Sequence, residues 1–251
     1  MLSALNDNMI ATGSRGREVV DIGPFRRAFT EGTGLKWANF GIPTRSDFTL
    51  DQIDLMVQEF RKRDRMPRLE ILQDLWPELP PLLQQRGFEC EHDMPVMACP
   101  AASFRAPCTI DRAVLIQPDD DLSDALRIET IAFRNPDIVG QERAERLARR
   151  RQRITEGNLM LGQASVDGVP ASSAMLMIDG VVAELAGVAT LPEYRGLGLA
   201  GDASARVIAQ FFENSGSMVW LAAADDTASS VYSKLGFVPV GRQVNYCLSP
   251  D

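Results

Sequence analysis

Two glycines beside an arginine mark the stretch of this 251-residue chain best suited to chemistry: Val188-Ala189-Thr190-Leu191-Pro192-Glu193-Tyr194-Arg195-Gly196-Leu197-Gly198-Leu199-Ala200. An apolar segment ends there and a Gly-rich loop follows. A helix with Ala203, Val207, Ile208 and Phe211 on one face then begins. Backbone N–H groups at such a turn point one way, and the helix N-terminus adds partial positive charge, so the turn suits a pyrophosphate. Gly196 and Gly198 have no Cβ to keep a ligand from the backbone, and Arg195 adds formal positive charge. The competing reading is a plain strand-to-helix turn. Residues 196–201 also spell the G-x-G-x-x-G string of dinucleotide sites, which belongs early in a βαβ unit. Here the loop follows a meander of three expected strands, 159–166, 174–178 and 181–190, turning at Asp167-Gly168 and Asp179-Gly180. That context argues against a dinucleotide site.

Other chemistries find less support. The only histidine, His92, sits in the polar stretch Glu91-His92-Asp93 and reads as a surface loop residue. Without a partnering nucleophile motif, triad hydrolysis has no basis. Cys90, Cys99, Cys108 and Cys247 form no CxxC pair and have no zinc-site spacing, so buried free thiols are expected and no metal. The net charge of −8 argues against broad nucleic-acid binding. Arg143, Arg146, Arg149, Arg150, Arg151 and Arg153 crowd one expected helix. A solvated face is the simpler reading, with an acidic-substrate or nucleic-acid contact as the alternative. No run has the length of a signal peptide core or a membrane span, so cytoplasmic location is expected, with no membrane contact.

The elements that must position the loop follow from periodicity. Thr49-x-x-Gln52 is a capping box, and Ile53, Met56, Val57 and Phe60 continue at helical spacing. A strand is expected over 67–72, a helix over 77–85 ending at Gly87, and a strand region over 88–99. The Ala- and Pro-rich segment 100–107 reads as a linker. Beyond it come a strand at 113–116, helices at 121–132 and 141–154, the meander, and the loop and its helix. A strand at 218–223, a helix at 227–235 and a last strand region at 238–247 complete the chain. Residues 1–35 show no assignable pattern. Both halves end as helix, strand, helix, Gly-Phe, strand, with 15 and 13 positions from strand to Gly87 and Gly236, which suggests an internal repeat. Chance is the alternative, because helix-Gly-strand units are common.

The loop resembles the signature Q/R-x-x-G-x-G/A of the GNAT superfamily of acyl-CoA N-acyltransferases, matched by Arg195, Gly198 and Ala200 after Pro192-Glu193-Tyr194. Ala228-Ser229-Ser230-Val231-Tyr232-Ser233-Lys234-Leu235-Gly236-Phe237 is similar to the family's A-x-x-L/V-Y-x-K-L-G-F segment. The resemblance covers residues 109–251 and implies an α+β GNAT fold, a mostly antiparallel sheet flanked by helices. It implies acetyl-CoA as co-substrate and direct transfer of its acetyl group to an amine, a small molecule by family habit. A non-catalytic acyl-CoA-binding module is the alternative. The resemblance further implies that the strand before the loop parts from its neighbour. The backbone of Val188, Ala189 and Thr190 would then bind pantetheine, and the N–H groups of Gly196, Leu197, Gly198, Leu199 and Ala200 the pyrophosphate. Tyr232 would be the general acid for the departing thiolate, or else a core tyrosine behind Gly236. Asp225 stands where the family often has Asn, which leaves that coenzyme A contact without an amide donor. Glu184, on the strand feeding the loop, would be the general base, or else a solvent-facing strand residue. The first half, 1–104, reads as a degenerate GNAT-like repeat that helps shape the acceptor cleft. Its segment 41–47 has no R-x-x-G-x-G, and the catalytic domain is expected over 109–251.

Overall fold

The computed structural model describes residues 1–30, 38–107 and 111–249. Cys108 lies outside them. The chain forms two compact units, Met1–Met97 with Ala222–Asp225 and Pro239–Asp251, and Ala98–Leu221 with Asp226–Val238.

In the first unit, helix α1 (Leu2–Ser14) precedes strands β1 (Glu18–Ile22), β2 (Phe25–Phe29) and β3 (Phe40–Pro43). Helix α2 (Leu50–Arg61), strand β4 (Arg68–Leu72), helix α3 (Leu79–Gln85) and strand β5 (Glu89–Pro100) follow. Its sheet runs β1-β2-β3-β4, then β11 (Val238–Cys247), then β5. The expected face of α2 is the buried one: Ile53, Met56, Val57 and Phe60 pack with Phe25, Phe29, Leu69, Ile71 and Leu83.

Of the unassigned stretch 1–35, residues 31–35 lie outside the described residues, and residues 1–30 hid a helix and a hairpin because polar groups replace apolar ones at buried positions. Asn6 and Asn8 are buried in α1. The Asn6 amide donates to the Pro43 carbonyl and accepts from Trp76 Nε1, so the helix docks through side-chain hydrogen bonds that no apolar periodicity reports. In β2, Arg27 is fully buried beside Phe25 and Phe29. Its guanidinium donates Nε and Nη2 to the Val20 carbonyl, and burial pushes its pKa down to about 10.

The second unit carries β6 (Ala113–Ile116), α4 (Ser123–Ala132), α5 (Gly140–Thr155), β7 (Leu159–Val166), β8 (Val169–Asp179), β9 (Val182–Thr190), α6 (Leu199–Glu213), β10 (Met218–Ala222) and α7 (Asp226–Lys234). Its strands run β10-β9-β8-β7-β6, antiparallel except for β9 and β10. The Asp167-Gly168 turn joins Val166 to its partner Val169 with both turn residues at positive φ, the backbone that a two-residue hairpin of the first-primed type requires. Helix α6 lies close on β7: a Cβ on Gly162 would stand 2.7 Å from the Ala203 carbonyl oxygen.

Four expectations change. The last strand region was grouped with the second half, yet β11 pairs antiparallel with β4 of the first unit, from Gln243↔Leu72 to Cys247↔Arg68. Val244 and Tyr246 complete that unit's apolar core, so burial decides which unit owns the strand. The segment read as a linker is tied to the second unit: Ala101 N–H donates to the Ser217 carbonyl and Arg105 N–H to the Leu235 carbonyl. His92 is exposed but on strand β5 rather than in a loop. Finally, Cys99 is buried, its thiol pushed up to about 11 by burial, whereas Cys90 is exposed and Cys247 half-buried. Cys90 lies in the first part of β5, where Glu89, Cys90, His92 and Asp93 are all exposed, whereas Cys99 closes the buried run Val96–Cys99.

Gly236 and the strap at Ser103 form a tight joint. Gly236 has φ +98°, and a Cβ there would lie 2.0 Å from the Ser103 carbonyl oxygen. Gly236→Ala therefore carries both left-handed strain and a backbone clash, and should lower unfolding stability by about 3 kcal/mol. Gly157→Ala, also at positive φ but with nothing within 4 Å, should cost only about 1 kcal/mol. Urea denaturation of both variants measures the difference, and equal losses would remove the strap from the account.

Candidate functional site

The site is built where β9 runs into α6. Parallel pairing of β9 with β10 covers Val182↔Met218, Ala183↔Val219 and Glu184↔Trp220 and goes no further. On its other edge β9 stays paired with β8 to Thr190. Residues 185–190 thus keep their β8 edge bonded while the β10 edge is open.

A bulge sits in that open stretch. Ser173 pairs with Ala189 but Met175 with Ala186, so β9 carries one extra residue there. Gly187 takes φ +59° at this point, and a glycine interrupting an otherwise regular strand pattern was the one sequence signal for it. Ser172, fully buried, pins the end of the strand: its Oγ donates to the Ala189 carbonyl at 2.7 Å and lies 2.9 Å from Thr190 Oγ1. Sequence reasoning passed over Ser172, because an isolated serine in an apolar strand announces nothing.

Beyond Thr190, Leu191 is buried with Ala189, Ile128 and Tyr194, which anchors the base of the loop on α4. Pro192 to Tyr194 make one 3-10 turn. Arg195 is exposed and its Nε donates back to the Thr190 carbonyl at 3.4 Å. Gly196 and Gly198 take φ +81° and +80°, and Gly198 is the N-cap of α6 with no side-chain cap. Among the described residues, the backbone N–H groups of Gly196 through Gly201 donate to nothing. A Cβ on Gly196 would meet open space. A turn of unspent donors with room beside it fits an oxyanion. Arg112, unforeseen from sequence, adds charge: its Nη2 would lie 3.7 Å from a Cβ on Gly198 and stands 2.5 Å from the Asp202 carboxylate on α6.

The corresponding turn of the first unit is closed. There β3 and β4 are also parallel and also flank a helix, α2. Thr49 Oγ1 accepts from Gln52 N–H, and the Gln52 side chain accepts from Thr49 N–H. The capping box uses the donors that α6 leaves free.

Glu184 is half-buried on β9, between the buried Ala183 and Leu185, at the last position paired with β10. Tyr232 is 8% exposed, and its ring stacks at a tilt on Phe237 with 5.9 Å between centroids. Its helix α7 is packed near the first turn of α6, since a Cβ on Gly201 would be 3.8 Å from Val231 Cγ1. The loop, Glu184 and Tyr232 thus share one unit. Asp225 is exposed just before α7 and is grouped with the first unit. Among the described residues no cluster of His, Cys, Asp and Glu could hold a metal, and no helix is long and apolar enough to cross a membrane.

Residues 123–237 match the model of the acetyltransferase (GNAT) family. No curated protein matches by sequence. Among solved structures, the chain is similar to a GCN5-related N-acetyltransferase from Kribbella flavida, at a TM-score of 0.80 and 20% identity over 99% of this chain and 96% of that one. It is also similar to a GCN5-related N-acetyltransferase from Sphaerobacter thermophilus, with TM-score 0.65, 14% identity and coverage of 90% and 76%. A tandem GNAT protein from the clavulanic acid biosynthesis pathway gives 0.59, 15%, 90% and 79%. The fold is that of the GNAT acetyltransferases.

The unspent N–H groups make a test that needs no organic ligand. Inorganic pyrophosphate at a hundredfold excess over its dissociation constant should stabilise the folded protein by about 2.7 kcal/mol. Gly198→Val, which puts a branched side chain at the cradle, should abolish the gain. The check is the ligand-induced change in melting temperature, and an equal shift in both proteins would remove the turn as the anion site.

Proposed function

From a chain whose residues 123–237 match the model of the GNAT acetyltransferase family, we propose that the second unit takes acetyl-CoA at the β9–α6 turn and transfers its acetyl group to a small-molecule amine. The observation that carries this reading is the row of unspent N–H groups from Gly196 to Gly201, next to a strand with one open edge. The acyl thioester supplies an activated carbonyl, and the remaining tasks fall to the protein.

Val188, Ala189 and Thr190 offer backbone groups on the open edge of β9, so an extended amide chain can add there as a strand would. The bulge at Gly187 re-aims these groups, and the Ser172 hydroxyl holds them still. The N–H groups of Gly196, Leu197, Gly198, Leu199 and Ala200 take the pyrophosphate, with Arg195 and Arg112 adding charge. Asp225 is a carboxylate where the family often has an amide, so it supplies no donor to coenzyme A.

Glu184 is assigned the acceptor side. An amine of pKa near 10 arrives mostly protonated at neutral pH, and a carboxylate can remove that proton directly or through water. Tyr232 is assigned the leaving side, its hydroxyl returning a proton to the thiolate. The first half is read as a degenerate repeat without a cofactor site, because its equivalent helix start is spent on Thr49 and Gln52.

Calorimetry should therefore find one coenzyme A per chain, and two would contradict the degenerate-repeat reading. Thiol release from acetyl-CoA with a panel of amines tests the transfer. Tight binding with no release would favour a non-catalytic acyl-CoA module.

Glu184→Gln should lower kcat/KM by about 10²–10⁴-fold near neutral pH. The loss should fade as pH nears the amine's own pKa of about 10, because the amine then loses its proton unaided. A rate ratio that stays constant across the pH profile would remove Glu184 as the base. Tyr232→Phe should lower kcat with little change in acetyl-CoA affinity, and unchanged turnover would leave Tyr232 a packing residue.

A further inference from the structure

The arginine-rich helix is not one solvated face. Its half-buried positions are Arg143, Arg146, Leu147, Arg150, Arg153 and Ile154, whose spacing makes one stripe of α5. Leu147 and Ile154 fix the direction of that stripe, because they pack on the cluster of Ile116, Leu122, Ala125 and Leu161. Four arginines therefore flank an apolar seam turned toward α4 and the sheet.

Most of the helix's charges are already engaged. Arg149 pairs with Glu145, Arg151 caps the carbonyls of Pro118 and Asp120, and Arg153 donates to Asn158. Arg150 is ion-paired with Glu129, a buried residue of α4. The side chains of Arg143 and Arg146, one turn apart, make no hydrogen bond or ion pair among the described residues, although Asp121, Glu142 and Glu129 lie in their electrostatic reach. Arg146 loses solvent without gaining a partner: burial pushes its guanidinium below the usual value, and Arg150 beside it pushes the same way. Nη1 of Arg150 and Oε1 of Glu129 are also buried without a hydrogen-bond partner among the described residues. Buried polar atoms are ordinarily paired; Glu129 Oε1 wants a donor, but Arg150 Nη1 is a donor without an acceptor, so the guanidinium side of this corner is short of an anion.

The corner lies at the working end of the unit. Ile128, next to Glu129 on α4, packs on Ala189 and Leu191, where β9 enters the loop. Arg146 is one helical turn, about 5–6 Å, from Arg150 along the stripe.

We infer that Arg143 and Arg146 bind an anionic group, carboxylate or phosphate, of the amine that accepts the acetyl group, an inference that rests on the transferase reading above. The planar guanidinium fork suits either oxyanion. In a chain of net charge −8, a confined positive patch selects a small anion and offers no field to a polyanion.

The test compares matched amines that differ only in the anion: an amino acid against its amide, and an aminoalkyl phosphate against its amino alcohol. Wild type should favour the charged member of one pair by about tenfold or more in kcat/KM, and the pair concerned tells carboxylate from phosphate. Arg146→Gln should remove most of that preference through KM while leaving the neutral member within about twofold, with Arg143→Gln smaller in the same direction. Arg149→Gln, on the exposed face, should change nothing. Neither the Arg143 nor the Arg146 side chain has a partner to orphan among the described residues, so melting temperatures should hold. Equal kcat/KM within both pairs, or an Arg146→Gln loss equal for charged and neutral amines, would overturn the inference. Calorimetric titration of the same pairs, with coenzyme A present, separates it from the transferase reading. Anion-dependent heat lost in Arg146→Gln without any turnover would keep the anion site and sink the transferase. Heat independent of the anion would sink the site, whatever the turnover.

Discussion

Strand β9 has to serve two neighbours that leave its side at different points. It holds β8 to its end but releases β10 after Glu184. An open strand edge is ordinarily a liability, and proteins cover or bend such edges. Here the edge is bent by the bulge at Gly187 and runs at once into the unspent donors of α6. Among the described residues, the first is a strand edge that β10 leaves after Glu184 and the second a turn of N–H groups without acceptors. Supporting contacts follow from this requirement. Ser172 fixes the end of the strand, Leu191 and Tyr194 fix the base of the loop, and Gly162 lets α6 sit close on the sheet.

The two units show how small a change opens or closes such a turn. Each places a helix between two parallel strands. In one, threonine and glutamine satisfy the helix start. In the other, glycine caps it and no side chain intervenes. A capping box stabilises its helix by about 1 kcal/mol, so the open turn of α6 gives up stability that a ligand can restore. The same exchange of stability for binding is proposed at Arg146, whose half-buried charge has no hydrogen-bond or ion-pair partner among the described residues.

Neither half of the chain is a closed structural piece. The last strand, β11, completes the core of the first unit, and the stretch after β5 is strapped to the second through Ser217 and Leu235. Gly236 carries the second unit's end of this arrangement, its positive φ and the near contact with Ser103 leaving space for no side chain.

What the sequence determined by itself was local. The α2 capping box, the α6 face, the Asp-Gly turns and the Gly-rich loop are encoded within a few residues, so periodicity and turn chemistry reached them. The order helix, strand, helix, Gly-Phe, strand was legible in both halves for the same reason. Tertiary structure decided what depends on distant partners. Residues 1–29 became a helix and a hairpin through Asn6, Trp76 and the buried Arg27, where hydrogen bonds replace the apolar pattern. Strand β11 joined the unit whose core it fills. The bulge, the Ser172 pin, Arg112 and the division of the α5 arginines into engaged and unengaged all follow from groups far apart in the chain. A spacing rule registers neighbours along one element, and burial and pairing between elements lie outside its reach.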